Sequence, residues 1–109
     1  MKLLTTLAIA CGLMTALAVQ AAPDAESAQA VLKKSDCFKC HAVDKKKDGP
    51  PFKETARKYK GKADAEDKLT KHLTTSPMVE IDGKKEEHRA IKTKDAAEIK
   101  NVVQWILSL

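Results

Sequence analysis

Cys37-Phe38-Lys39-Cys40-His41 places two thiols three positions apart and an imidazole directly after the second. This is the attachment signature of a c-type haem: each thiol can add across a porphyrin vinyl group, and the adjacent His then lies under the iron as an axial ligand. Two other readings of a Cys-x-x-Cys pair compete with it. A thioredoxin-like pair opens a helix inside a βαβ unit, and the chain has no strand-rich parallel pattern. A structural zinc site needs a second pair of ligands at suitable spacing. The remaining cysteine is Cys11, and His72 and His88 are not paired at zinc-finger spacing.

The N-terminal stretch reads as a targeting segment. Lys2 supplies a short positive start, Leu3 to Val19 is apolar and rich in Leu and Ala, and Val19-Gln20-Ala21 offers small residues where a signal peptidase reads them. The expected boundaries are a removed signal peptide over 1–21 and one domain over 22–109, with Ala22 as the neighbouring choice of cleavage site. A retained anchor competes, but the apolar run is short for a span. Cys11 after Ala10 also suggests a lipoprotein signal, against which Leu3 to Ala10 is a very short apolar region. Export to the periplasm agrees with thiol-linked haem, which is expected outside the bacterial cytoplasm.

A domain of this size buries a limited core and usually needs a metal, disulfide or cofactor to stabilise it. The chain has four aromatics in all, one Trp, one Tyr and two Phe, so a buried porphyrin is a plausible centre for the core. Formal net charge is +5, carried almost wholly by lysines spread along the chain. A nucleic-acid reader clusters basic residues with arginines and aromatics, and Arg57 and Arg89 are the only arginines. A solvated surface, part of which steers an acidic redox partner, is the expectation. Lys45-Lys46-Lys47 is the densest run, a polar loop or a docking element.

No linker or repeat divides the region after residue 21. Asp24 to Lys34 reads as a helix capped by Asp24, with Ala28, Val31 and Leu32 on one face. Asp44 to Pro51 is a polar loop ending Gly49-Pro50-Pro51. Lys53 to Lys60 and Ala63 to Thr74 read as helices, the latter with Leu69 and Leu73 inward. Asp95 to Leu109 is the strongest: Ile99, Val102, Val103, Ile106 and Leu107 form an apolar stripe beside Trp105, with Asp95 or Thr93 as cap. Between Pro77 and Asp95 the pattern changes, and Asp82-Gly83 predicts a small hairpin near residues 78–88.

Together these features resemble a small bacterial class I cytochrome c with a single haem. The resemblance covers nearly all of the chain after residue 21: a helix leads into Cys-x-x-Cys-His, and Gly49-Pro50 follow His41 by eight and nine positions. It implies an all-α cytochrome c fold of about four helices around one covalent haem c. It also implies that Cys37 and Cys40 anchor the macrocycle, that His41 is the proximal ligand, and that the Pro50 carbonyl accepts a hydrogen bond from His41, fixing the ring's orientation and basicity.

The distal ligand departs from the family pattern, which usually has Met there, often beside Pro. Met78 next to Pro77 is the candidate on residue type, but it lies only five residues after Leu73 and 27 before Trp105. His88 follows Leu73 by 15 and precedes Trp105 by 17, nearer the spacing the family uses. His88 is therefore preferred and Met78 kept as the alternative, with His72, Lys84, Lys85 or an open site behind them. On this reading Met78 belongs to the hairpin or the haem wall, and His72 is a surface residue of the third helix. Two histidines set a lower reduction potential than His with Met.

The resemblance implies an exported one-electron carrier, not an enzyme, working between transiently docked redox proteins, with no nucleic acid, no membrane span in the mature chain, and a monomeric state. Phe52, Leu69, Leu73, Ile91 and Trp105 are the side chains expected to exclude water. Two readings compete: a haem enzyme or gas sensor, which requires an open or labile sixth site with acid–base groups nearby, and a subunit of a larger oxidoreductase.

Overall fold

The structure is a computed structural model that describes Ala16 and residues 21–109. The expected signal peptide therefore lies almost wholly outside the described residues. Four helices, α1 (Ala25–Lys34), α2 (Phe52–Tyr59), α3 (Ala65–Thr74) and α4 (Ala96–Ser108), and one two-stranded antiparallel hairpin, β1 (Met78–Ile81) with β2 (Lys84–Glu87), make up the fold. The thiol motif lies on a short 3-10 turn, Cys37–Lys39, directly after α1.

Local chemistry sets most of the boundaries. Asp24 accepts from the Ser27 amide at 3.0 Å, and Asp95 accepts from the amides of Ala97 and Glu98 at 2.8 and 3.1 Å. Each carboxylate thereby satisfies amides that have no partner within the helix, worth about 1 kcal/mol per cap. In the hairpin, Asp82 and Gly83 have φ of 50° and 77°, so both central residues lie in the left-handed region that a two-residue turn of this hand requires. Strand pairing then runs Met78 with Glu87 through Ile81 with Lys84. Helix α3 begins at Ala65 rather than at Ala63. Residues 62–65 form a turn in which the Ala65 amide reaches the Lys62 carbonyl, and Asp64 makes no side-chain cap bond.

The N- and C-terminal helices pack against each other, with Ala28 and Leu32 of α1 wholly buried beside Val102, Val103 and Ile106 of α4. A reciprocal pair of hydrogen bonds fixes their crossing: Asn101 Nδ2 donates to the Asp24 carbonyl at 2.9 Å, and the Asp24 amide donates to Asn101 Oδ1 at 2.8 Å. Helices α2 and α3 close the other sides of α4 through Phe52, Leu69 and Leu73. All five side chains expected to exclude water, Phe52, Leu69, Leu73, Ile91 and Trp105, are buried. At about 1.5–3 kcal/mol per large apolar side chain, this small core has little stability to spare.

Candidate functional site

Ser35 ends α1 and Asp36 follows in the left-handed region, with φ 61°. Asp tolerates this conformation better than most residues. The chain reverses there and enters one helical turn: the Cys40 and His41 amides both bond to the Cys37 carbonyl, at 3.2 and 3.0 Å. Residues i, i+3 and i+4 of a helical turn share a face, so Cys37, Cys40 and His41 are presented together. Both cysteines are half-buried, and neither is in a disulfide. Burial holds the Cys37 thiol above its ordinary pKa, against a lesser contrary pull from Arg89.

The loop after His41 is stitched back onto the motif. The Gly49 amide donates to the Cys40 carbonyl at 2.8 Å, and the Phe52 and Lys53 amides donate to Ala42 and Val43 at 2.9 and 3.0 Å. This brings the Pro50 carbonyl to 2.8 Å from His41 Nδ1. A carbonyl can only accept, so Nδ1 is the donor, and in the neutral ring the lone pair lies on Nε2. Gly49 permits the approach: a Cβ there would lie 2.4 Å from His41 Cε1. On the ring's face Phe52 stacks on His41 with centres 5.1 Å apart and planes at 18°, and Phe52 in turn meets Phe38 and Trp105 edge to face.

Across from His41 lies His88, with ring centres 6.1 Å apart and planes at 55°. Two metal–nitrogen bonds of about 2 Å each, plus the distance from each nitrogen to its ring centre, add up to roughly this separation. His88 is half-buried, and its Nδ1 is shielded from solvent without a hydrogen-bond partner. Burial first, then the charges of His72 and His41, push its pKa down to about 4, so the ring is neutral near pH 7 with a lone pair free to bind metal.

The other candidates are placed differently. Met78, on β1, is 63 % exposed. Lys84 and Lys85 are exposed on β2. His72 is an exposed residue of α3, but its ring lies 4.3 Å from that of His88, centre to centre. Its pKa is lowered, chiefly by partial burial and then by the charges of His41 and Lys58. The contact between two imidazoles 16 positions apart left no mark in the helical periodicity. A solvent-open cleft of about 840 Å³ between α2, the start of α3 and the C-terminus has no histidine or cysteine in its lining and is separate from this site.

The cytochrome c family model matches residues 25–109. This chain belongs to the cytochrome c family. The cytochrome is 32 % identical over 99 residues to cytochrome c-551 of Allochromatium vinosum, covering 88 % of this chain and all of that protein. Among solved structures it is similar to the class 1 cytochrome MtoD of Sideroxydans lithotrophicus ES-1. That match has 49 % identity and a TM-score of 0.77, and covers 80 % of this chain and 97 % of the other. Cytochrome c552 of Nitrosomonas europaea is also similar, at 28 % identity and a TM-score of 0.60 over 74 % of this chain and 98 % of that one.

A small class I cytochrome c carries one covalently attached haem c, and Cys37 and Cys40 fit its attachment motif. The donor set agrees. Among the described residues no three His, Cys, Asp or Glu side chains converge as a site for a bare metal ion. Two imidazoles with ring centres 6.1 Å apart, and two thiols on the turn that carries one of them, suit an iron whose other four ligands come from a macrocycle.

Proposed function

We propose that this class I cytochrome c is an exported one-electron carrier whose haem is held by Cys37 and Cys40 and ligated by His41 and His88. The observation that carries the reading is the pair His41–His88, 6.1 Å apart, with His88 Nδ1 shielded and unpartnered. The bound haem supplies a metal centre that changes its charge by one unit without making or breaking bonds in a substrate.

The protein's own groups do the rest. Pro50 holds His41 in the tautomer with Nε2 free and fixes the orientation of the ring. Phe52 fixes the ring plane. Leu69, Leu73, Ile91 and Trp105 keep water out, which favours the less charged state of the centre and contributes to its potential. Two imidazole ligands give a lower potential than His with Met. With His41 and His88 both holding the iron, no site would be left for a gas or a peroxide, which argues against a gas sensor or peroxidase-like activity. The signal segment over 1–21 directs the chain to the periplasm, where the mature domain from residue 22 works as a monomer. Among the described residues no helix is long and apolar enough to cross a membrane. Redox proteins are the partners, docking transiently, with the spread of lysines favouring an acidic surface.

Paired variants test the ligand assignment. His88→Ala is expected to lose the six-coordinate low-spin spectrum and Met78→Ala to keep it. The opposite pattern would return the distal position to Met78. A redox titration of the wild type should fit a single one-electron step.

A further inference from the structure

Between the hairpin and α4, residues 88–95 have no regular secondary structure, yet this segment carries His88. Its position depends on bonds to other parts of the chain. The His88 amide donates to the Pro77 carbonyl at 2.8 Å, and the Ile91 amide to the Leu73 carbonyl at 2.9 Å, tying the segment to the end of α3 and the start of the hairpin. Thr93 Oγ1 donates to Glu98 and Asp95 caps α4, which ties the end of the segment to that helix. The other ties, nearer His88, run to Ser35 and Asp36, the two residues immediately before Cys37. The Lys92 amide donates to Oγ of Ser35, which is 1 % exposed, at 2.9 Å. Arg89 Nη1 and Lys92 Nζ both meet Asp36 Oδ2 at 2.9 Å.

One carboxylate thus receives two cations from within the segment, and Lys39 of the thiol motif approaches its other oxygen at 3.5 Å. Lys39, Arg89 and Lys92 are largely exposed, whereas the Asp36 side chain is 26 % exposed and is the fixed point of the group. Its left-handed backbone, between α1 and the motif turn, aims the carboxylate at the far segment. Arg89 follows His88 directly, so a tether on Arg89 limits how far the imidazole can move from His41.

We propose that Asp36 is a positioning residue for the distal imidazole: by holding Arg89 and Lys92 against the haem-attachment turn, it keeps His88 opposite His41 and slows its release. This rests on the reading of His88 as the sixth ligand. The same carboxylate joins the covalent anchor of the cofactor to the segment carrying the second ligand, so it acts on ligand retention as well as on folding. Ser35 adds a neutral, buried bond to the same junction, which stays in place when the charge of Asp36 is removed.

Carbon monoxide binding to the reduced haem protein reads ligand retention directly, because the gas must wait for the distal imidazole to leave. Asp36→Asn is expected to speed binding by about fivefold, the scale on which loss of two partly exposed ion pairs acts. Lys92→Gln, which removes one contact and leaves Arg89, should give a smaller increase, and Arg89→Lys, which keeps a cation, should stay close to wild type. Guanidinium unfolding of the same variants separates the two roles. A merely structural Asp36 would lower the unfolding midpoint and leave the binding rate of the folded protein within twofold of wild type, which would overturn the proposal. His88→Ala is the control for the underlying assignment. If it speeds binding strongly while Asp36→Asn does not, the positioning role is wrong and the ligation stands. If His88→Ala leaves binding unchanged, the ligation itself is wrong and the positioning role falls with it.

Discussion

The imidazoles of His41 and His88 lie 6.1 Å apart, centre to centre, although 47 positions separate them in the chain. Each ring has its own support. His41 is fixed by a carbonyl, a glycine and an aromatic face from residues 49–52. His88 hangs from a segment tied to Pro77, Leu73, Ser35 and Asp36. Perturbing one support should leave the other standing, and this separability makes the arrangement testable.

Gly49→Ala places a methyl group 2.4 Å from His41 Cε1, closer than any real contact of that kind. Either the imidazole shifts or the loop lifts from the Cys40 carbonyl. The expected cost is about 1–3 kcal/mol of stability, with a shifted haem spectrum, measured by guanidinium unfolding and absorption on one preparation. An unchanged spectrum and midpoint would show that the loop yields freely.

Phe52→Ala removes the stack on His41 and the edge contacts to Phe38 and Trp105 together. Truncating a buried Phe costs about 3–5 kcal/mol, a large share of the stability of a domain this small. Phe52→Leu should recover much of the stability but not the spectrum, because it restores bulk and not the flat face against the imidazole.

Asn101→Ala deletes both hydrogen bonds that fix the α1–α4 crossing. The bonds are solvent-exposed, so a loss of about 1–2 kcal/mol is expected, with no change in the haem spectrum because the site lies away from this crossing. A spectral change would mean that the crossing also sets the pocket.

Asp36 has its pKa lowered, first by its bond to Lys92. The folded state therefore keeps the carboxylate charged to lower pH than the unfolded chain does. The contribution is complete above the ordinary value of 3.8 and is lost as pH falls through the lower folded value. The stability difference between wild type and Asp36→Asn, followed by denaturant titrations from neutral pH downward, should shrink only below about pH 4. A difference already lost near pH 6 would assign the effect to another group.

Much of the fold was legible because its signals are local. Asp24 and Asp95 cap helices within three residues of themselves, Asp82-Gly83 makes its turn alone, and the apolar stripe of α4 is a matter of helical period. Helix α3 starts two residues later than the expected Ala63 because the Ala65 amide first turns back to the Lys62 carbonyl, a turn that leaves no mark in the apolar pattern. At the site, spacing from Leu73 and Trp105 singled out His88, whose ring lies 6.1 Å from that of His41, and residue type singled out Met78, which is exposed on β1. The group formed by Asp36, Arg89 and Lys92 was invisible in the sequence. Its members lie 53 and 56 positions apart and are charged residues of a kind that normally points to solvent. The His72–His88 contact was hidden for the same reason: it depends on how α3 and the segment after β2 come together in space.

The central claim is that two imidazoles hold the iron. The absorption spectrum of the oxidised protein tests it most directly, through the weak long-wavelength band that an iron–sulfur bond from Met would produce. The band is expected to be absent from a low-spin, six-coordinate spectrum. Its presence would place Met78 on the iron and contradict the assignment of His88.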